Sequence, residues 1–261
     1  VLISPMIGVT AFARFAGLAG WPAVVPGFLR AAWLDILPEF NPFKYNSFPV
    51  HAAVQSHRLT RAVQADLRRA ARSGAIEAIA PVLAFQSVVD FTVSTRALVV
   101  ELFERLPANG SELVLFDLNR AATLAPVIGA AADAELDRIV PPPPRAYELT
   151  VVTNAGPGDR AAVARIEPAS ATEVAIVPLG LDYPADVFSL SHVALPFPLG
   201  DGLYGLAPDP AEDFGIALGT LAGRGETGVL RLGADAFARL TSNPFFETMR
   251  ARIVATTGPP Q

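Results

Sequence analysis

The sequence predicts an α/β fold with a mostly parallel sheet and flanking helices, and three observations support this. A helical pattern over residues 54–73 precedes the pattern of a short buried strand at 82–85. A second helical pattern, starting near Ser94, separates that strand from another at 112–116, and strand–helix–strand units of this kind form parallel crossovers. Hydrophobic residues make up 51% of the 261 residues and charged residues 17%, so the chain can build a sizeable core.

Composition and charge exclude several classes of function. The net charge is −5, the sequence pI is about 5.2, and acidic and basic residues are interspersed, so no nucleic-acid-binding surface is indicated. The chain has no cysteine, which excludes disulfides, thiolate metal sites and a cysteine nucleophile. Pro5, Pro22 and Pro26 interrupt the apolar stretches near the start, which are therefore too broken for a membrane span of ~20 residues.

The N-terminal part combines a strand with an irregular apolar segment. Residues 1–4, VLIS, have the pattern of a short buried strand that is closed by Pro5. Residues 9–50 are rich in Phe, Trp, Gly and Pro and fit short helices around 10–19 and 27–37. This segment is either a second layer of the core or a lid whose inner face binds an apolar substrate, and its composition does not separate the two.

The middle of the chain carries the clearest helix signals. The helix predicted over 54–73 has a suitable C-cap in Gly74. Asp90 lies in the loop after the strand at 82–85, and Ser94 can cap the next helix. The buried face of that helix is formed by Leu98, Leu102 and Leu106.

The C-terminal half predicts a further helix over 121–139 and strands over 146–152 and 172–177. The four prolines at 141–144 form a stiff connector. Residues 154–159, NAGPGD, predict a turn, because they lack the lysine and the following helix of a phosphate-binding loop.

A carboxylate and a histidine both follow predicted strands. In an open α/β sheet, ligands bind beyond the carboxyl ends of the strands. Asp90 lies just past one such end, and His192 lies in the loop after the last predicted strands. A carboxylate can hold an imidazole in one tautomer, and the imidazole can take the proton of a serine hydroxyl. We expect Asp90 and His192 to approach within ~2.6–3.2 Å.

Structural interpretations of these residues stay open. His192 also fits a core or loop histidine without a catalytic role, and Asp90 also fits a helix-capping residue. Asp117, at the end of the 112–116 strand, is a rival acid, because its strand-end position suits a carboxylate equally well.

The remaining histidines and one serine are weaker candidates. His51 and His57 do not have the spacing of a helical metal pair, and we interpret them as solvated or lid residues. Ser191 is excluded as a nucleophile for His192, because adjacent residues in an extended loop point apart. Near the end, Asn243 and Pro244 predict the start of a last helix.

Four segments together resemble the C-terminal part of an α/β-hydrolase of the bacterial lysophospholipase and esterase-like kind. They occur in the family's order and together extend over most of the chain: LISPMIG, PEFNPFKYNSFP, PVLAFQSVVDFTVS and FSLSHVALPFPLGDGLYG. The resemblance implies an α/β-hydrolase fold in which Asp90 is the triad acid and His192 the base. It also implies that residues 1–261 form the C-terminal part of one domain, with a helical lid insertion at 9–75. The acid strand, the histidine loop and the terminal helices then occupy 76–261.

The sequence departs from this family at one decisive point. The nucleophile motif Gly-x-Ser-x-Gly does not occur in residues 1–261. By the resemblance, the nucleophile elbow and the N-terminal strands would precede Val1, and both usual oxyanion donors would lie with them. We therefore expect a piece of an enzyme with little activity alone, whose sheet has an exposed edge at the VLIS strand.

The resemblance implies hydrolysis of carboxylic esters, or lysophospholipid-like esters, through an acyl-serine intermediate, and the apolar composition of the lid segment favours an apolar acyl group. We expect a small ester or lipid-like substrate, no transmembrane span, transient contact with a membrane surface and no cofactor or metal. The sequence leaves the compartment open, with a cytoplasmic location favoured. The alternative is a non-catalytic module that keeps the fold without the chemistry, or a fragment that another chain completes. A Gly-x-Ser-x-Gly motif in the coding sequence before Val1 would distinguish the two.

Overall fold

Four parallel strands continued by an antiparallel pair form the main sheet. The computed structural model describes residues 1–9, 21–36, 45, 47–90, 92–122, 135–185, 187, 189–191, 194–212, 214–215, 218, 239–240 and 242–258. The strands of this described part are β1 (Leu2–Ile3), β2 (Trp33–Asp35), β3 (Phe48–Pro49), β4 (Leu83–Ser87), β5 (Glu112–Phe116), β6 (Glu148–Asn154), β7 (Ala161–Glu167), β8 (Ala175–Asp182), β9 (Ser189–Leu190) and β10 (Arg239–Leu240).

The main sheet has the order β1-β4-β5-β6-β7-β8. Strands β1, β4, β5 and β6 pair in parallel, while β6, β7 and β8 form an antiparallel meander. Two small pairs lie apart from it: β2 with β3, which is antiparallel, and β9 with β10, which is parallel. The strand order and pairing confirm the predicted class, an α/β fold with a mostly parallel sheet.

Helices cover the sheet. They are α1 (Val50–Ser73), α2 (Thr95–Glu101), α3 (Glu135–Ile139) and α4 (Phe246–Thr257), with short 3-10 helices at Trp21–Val24, Pro26–Ala32, Ala75–Ala78 and Phe103–Arg105. The segment from β4 through α2 to β5 is the predicted parallel crossover.

Two hydrophobic layers cover the two faces of the sheet. Side chains of a strand alternate between faces, so Ala84 contributes to one layer and Phe85 to the other. The first layer joins the sheet to α2 and to the second half of α1, through residues such as Leu98, Leu67 and Ala70. The second joins it to α4 and to the segment after β8. Its members include Leu83, Val114, Phe116, Val152, Tyr183, Val187, Leu190, Leu195, Phe245 and Met249.

The helix signals of the middle region are confirmed. Helix α1 includes the predicted 54–73 span and begins four residues earlier, at Val50. Gly74 ends it with a φ of 78°, a left-handed conformation that glycine adopts without steric cost. The Ser94 hydroxyl caps α2 by accepting the Ala97 N–H at 3.1 Å. Leu98, Leu102 and Leu106 are all buried.

The short helix predicted around 27–37 is found at Pro26–Ala32 as a 3-10 helix, and it ends earlier than predicted because β2 follows directly. Phe28, at φ −119° and ψ 24°, leaves the helical region, and Trp33 is extended. Proline and glycine at the start of the segment leave too few helix-forming residues to propagate an α-helix. The helix predicted at 10–19 lies outside the described residues.

The sequence reading also missed a strand. The strands predicted at 146–152 and 172–177 are observed as β6 and β8, and β7 lies between them in the chain. Its sequence, AAVARIE, has three alanines and therefore a weak strand signal, and pairing with β6 and β8 determines its conformation. Of the helix predicted over 121–139, the described residues include a helix at Glu135–Ile139. The last helix begins at Phe246, after Asn243 Oδ1 accepts the Phe245 N–H at 2.9 Å.

The two edges of the sheet differ. Among the described strands, β1 is at one edge, as predicted for VLIS, and pairs with β4 through Leu2 and Ile3. Strand β8 is the other edge and is longer and more exposed. Pro178 removes a backbone N–H from it, and its register with β7 shifts between Ala161 and Val163. Both features discourage pairing with a further strand.

An ion-pair cluster fastens α4 at the amino edge of the sheet. Glu112 and Glu148 are paired neighbours at the starts of β5 and β6. Arg252 of α4 contacts both, with Nε 2.7 Å from Glu112 Oε1 and Nη2 3.2 Å from Glu148 Oε1. Burial raises the pKa of Glu112, although Arg252 opposes this effect; the neighbouring Glu148 charge adds to it.

This shift predicts a pH-dependent effect of Glu112→Gln. Because the pKa of Glu112 is raised in the folded state, its carboxylate costs stability once the pH exceeds the ordinary carboxyl value of about 4.3. Glutamine stays neutral and carries no such cost. We expect the free energy of unfolding of Glu112→Gln, relative to wild type, to rise as the pH increases from about 4 to about 7. Urea unfolding across that range measures it, and a difference that stays constant with pH would contradict the assignment.

Candidate functional site

The carboxyl ends of β1, β4 and β5 lie at the same end of the sheet, because these strands are parallel. Ser4, Asp90 and Asp117 follow these strands. The Glu112–Arg252 cluster lies at the opposite end of the sheet, where the strands start. The carboxyl ends are where ligands bind in open α/β sheets.

Asp90 lies on a tightly held loop after β4. Its Oδ1 atom accepts the N–H groups of Thr92 and Val93, both at 2.9 Å. Its side chain is half-buried, and its Oδ2 atom lies out of contact with solvent. Helix α2 begins only at Thr95 and is capped by Ser94, so Asp90 forms an Asx-type turn ahead of the helix and is not its N-cap.

The loop after β1 supports the Asp90 loop. Ser94 N–H donates to the Gly8 carbonyl at 2.9 Å, and Val9 forms an antiparallel bridge with Val93. A Cβ atom on Gly8 would lie 2.4 Å from Cβ of Ala97 in α2, so only glycine allows this approach. The segments LISPMIG and SVVDFTVS, which are distant in sequence, therefore lie against each other.

Ser4 is a strained residue that the sequence did not reveal. Its φ is 46°, in the left-handed region, although it is not a glycine and precedes a proline. Its N–H donates to the Phe85 carbonyl at 2.8 Å, and its buried Oγ has no hydrogen-bond partner among the described residues. Strain of this kind concentrates at functional sites.

Asp117, the rival acid, belongs to a different network. It is buried directly after β5, and its Oδ2 atom accepts the Thr153 hydroxyl at 2.9 Å. The same oxygen forms an ion pair with Arg120. Its charge is therefore compensated within the described structure, although its Oδ1 atom has no hydrogen-bond partner there.

Asn119 joins this network to the segment that leads toward His192. Asn119 is fully buried, and its Nδ2 donates to the carbonyls of Pro184 at 3.0 Å and Val187 at 2.7 Å. Its Oδ1 accepts the Ala121 N–H at 3.1 Å and Asn154 Nδ2 at 3.2 Å. One side chain thus fixes the chain after β8 to the ends of β5 and β6.

Tyr183 strengthens the same junction. Its hydroxyl donates to the Val152 carbonyl at 2.9 Å and lies 3.2 Å from the Asp117 carbonyl. Burial raises the pKa of Tyr183 well above its usual value. The nearby Asp117 charge adds a smaller increase, and the Arg120 charge opposes it. The hydroxyl therefore stays neutral and acts as a hydrogen-bond donor.

His192 lies outside the described residues. The expected contact between Asp90 and His192 is thus still a prediction. The flanking Leu190 and Leu195 are buried in the second hydrophobic layer, which also contains Phe85 and Phe116. Asn243 holds the segment after His192, donating from Nδ2 to the Leu195 carbonyl at 3.2 Å.

The weaker candidates show ordinary structural contacts. His51 is exposed on α1, with its Nε2 3.3 Å from Gln55 Nε2. His57 is half-buried, and its carbonyl accepts the Thr60 hydroxyl at 2.9 Å. The described residues contain no group of three potential metal ligands. The Ser191 hydroxyl accepts the Ala194 N–H at 3.3 Å, a local turn contact.

The loop position of Asp90 after a strand was predicted correctly from the sequence, whereas the contacts of Ser4, Asn119, Asn154 and Tyr183 were not anticipated. Polar residues at strand ends, as in FDLNR and VVTN, were the available signal.

Comparisons with protein-family models, curated proteins and solved structures found no match to this chain. Within the described residues, no helix is both long and apolar enough to cross a membrane.

The network predicts a large effect of Asn119→Ala. The substitution removes two donated and two accepted hydrogen bonds at a fully buried position and leaves the Val187 carbonyl without this donor, while the Pro184 carbonyl keeps the Val187 N–H at 3.1 Å. We expect the free energy of unfolding to fall by about 2–4 kcal/mol. Urea unfolding measures it. Glu247→Ala, which removes an exposed ion pair with Arg250, is the control and should cost less than about 0.5 kcal/mol. Equal effects of the two variants would contradict the role of Asn119.

Proposed function

We propose that this chain provides the acid and the base of a serine hydrolase of the α/β-hydrolase type that cleaves carboxylic esters. Asp90 is the acid, His192 is the base, and the nucleophilic serine belongs to a segment outside these 261 residues. The observation that carries the proposal is the position of Asp90 on a fixed loop directly after the buried parallel strand β4.

The rigidity of the Asp90 loop supports an orienting role. A triad carboxylate must keep one rotamer while it holds the imidazole. Two backbone N–H groups hold Oδ1 of Asp90, and the bridge between Val9 and Val93 braces the loop from the neighbouring segment. These contacts fix the orientation of the carboxylate.

Asp117 fits the role of the acid less well. Its Oδ2 atom is already paired with Arg120 and bonded by Thr153. An imidazolium at Asp117 would have to share one carboxylate with the Arg120 guanidinium. Two cations on one anion repel each other, so the stabilisation of the imidazolium would be smaller.

The proposed reaction has two halves. His192 removes the proton of the serine hydroxyl as the serine oxygen attacks the ester carbonyl carbon. The bond to the alcohol then breaks, and His192 gives the proton to that alcohol. Water attacks the acyl-serine in the same way, which releases the carboxylic acid and restores the serine. Asp90 orients His192 and stabilises its imidazolium in both halves.

The apolar segment before α1 is the basis for the proposed acyl substrate. Its candidate acyl contacts are Phe12, Phe15, Trp21, Phe28, Trp33, Leu37 and Phe40. Of these, Trp21, Phe28 and Trp33 belong to the described residues, and all three are exposed.

The triad assignment predicts the effects of three substitutions in the full-length protein that carries the nucleophile. His192→Ala and Asp90→Asn should each lower kcat for p-nitrophenyl esters by about three to four orders of magnitude. Asparagine keeps an Oδ1 acceptor for Thr92 and Val93, so the loop should persist without its charge. Asp117→Asn is the matched control and should keep kcat within about ten-fold of wild type.

The outcomes separate the alternatives. If Asp117→Asn removes activity and Asp90→Asn does not, the acid is Asp117. Near-normal turnover of His192→Ala would make the histidine structural. If wild type neither hydrolyses esters nor reacts with a fluorophosphonate serine probe, the chain is a non-catalytic module.

Acyl length should affect rate. Each buried methylene gains about 0.8 kcal/mol, so kcat/KM should rise about four-fold per added carbon until the acyl site is filled. A series of p-nitrophenyl esters of increasing chain length measures this. A flat series with an intact triad would contradict the apolar acyl substrate and leave ester hydrolysis standing.

A further inference from the structure

Exposed apolar side chains concentrate in one part of the molecule. Among the described residues, 8 of the 19 exposed large hydrophobic side chains fall between residues 21 and 48. We define these eight as the apolar face: Trp21, Val25, Phe28, Leu29, Trp33, Ile36, Tyr45 and Phe48. Trp21 is 77% exposed, Leu29 64% and Phe28 60%, values that are unusual for side chains of this size in such density.

The local structure explains why these side chains point outward. Residues Trp21–Val24 and Pro26–Ala32 form two consecutive 3-10 helices that contact each other, and the second contacts α1. Leu34 packs against Val50 and Ala53 of α1 and so fixes the segment to the rest of the protein. The eight side chains of the apolar face are exposed to solvent.

Charge singles out the same region. Residues 21–72 contain seven Arg and Lys but three Asp and Glu, within a chain whose net charge is −5. From Tyr45 to Ala65 there are two arginines, Arg58 and Arg61, and no carboxylate. Arg30, Arg58 and Arg61 are all exposed. The apolar face therefore belongs to a cationic stretch of an otherwise acidic sequence.

We infer that the apolar face docks on an anionic phospholipid surface. Apolar side chains enter the boundary between headgroups and acyl chains, while neighbouring arginines contact anionic headgroups. Tryptophan and tyrosine favour this boundary, and both tryptophans of the chain, Trp21 and Trp33, belong to the apolar face.

The exposed apolar residues of β8 provide a contrast. Ile176 is 64% exposed, as Leu29 is, and Val177 is also exposed. Strand β8 contains no basic residue of its own and ends at Asp182, which pairs with Arg160. Because Ile176 is as exposed as Leu29 and lies outside the apolar face, it is a matched control. The inference does not depend on the proposed hydrolase activity, because its test measures binding alone.

The two tryptophans allow a direct test on the 261-residue chain. Vesicles of phosphatidylcholine with roughly a third phosphatidylglycerol should shift tryptophan emission to shorter wavelength, and brominated acyl chains should quench it. Pure phosphatidylcholine should give much weaker binding, and about 0.5 M NaCl should weaken binding to the anionic vesicles.

Substitutions separate the apolar and charged contributions. Leu29→Ser should lower vesicle binding at least about ten-fold, and Ile176→Ser, equally exposed before substitution, should leave it unchanged. Arg58→Gln and Arg61→Gln should each weaken binding to the anionic vesicles about five-fold. Circular dichroism of each variant checks that the fold is retained.

Three results would overturn the inference. The first is binding that is equally strong with pure phosphatidylcholine. The second is an equal loss of binding in Leu29→Ser and Ile176→Ser. The third is an emission shift that depends on protein concentration without vesicles, which would assign the apolar face to contact with a second copy of the chain.

Discussion

Parallel pairing of β1, β4, β5 and β6 is the constraint on which the rest of the structure depends. It brings the chain after each strand to the same edge of the sheet, so that Asp90, Asp117 and Asn154 become neighbours of loops that are far apart in sequence. Both faces of β4 are buried as a result, so the acidic residues of this region lie beyond the strand ends. Because both faces are buried, each must be covered by helices or loops.

The loops that carry Asp90 and Asp117, at the carboxyl ends of the strands, are held in place by different kinds of contact. The Asp90 side is braced through backbone contacts, with Gly8 allowing α2 to approach the first loop. The Asp117 side is braced through side chains: Asn119 donates to the Val187 carbonyl, Thr153 donates to the Asp117 carboxylate, and Tyr183 is a second donor to the Val152 carbonyl, which also accepts the Asp117 N–H. Asp90 thus accepts two backbone N–H groups, whereas Asp117 is engaged by an arginine.

Signals that depend on single residues were predictable from sequence, and signals that depend on pairing were not. Gly74 and Ser94 mark helix ends by their own chemistry, and both were predicted correctly. Strand β7 owes its conformation to β6 and β8, so its alanine-rich sequence was not recognised. Likewise Asn119 looks like any turn residue until the fold brings Pro184 and Val187 to it. Asp90 was predictable because it follows a strand, whereas the strain at Ser4 appears only in the folded chain.

The topology of the sheet also determines the order in which it can form. The β6–β7–β8 meander joins neighbouring segments through short turns, so its closure costs little chain entropy. Strand β1 pairs with β4 through only two residues, and the loop between them includes the whole of α1. Contacts that close long loops form late and contribute little until they are complete. Pairing of β1 therefore requires the closure of the longest loop between paired strands of the main sheet, and we expect β1 to join the sheet after the meander has formed.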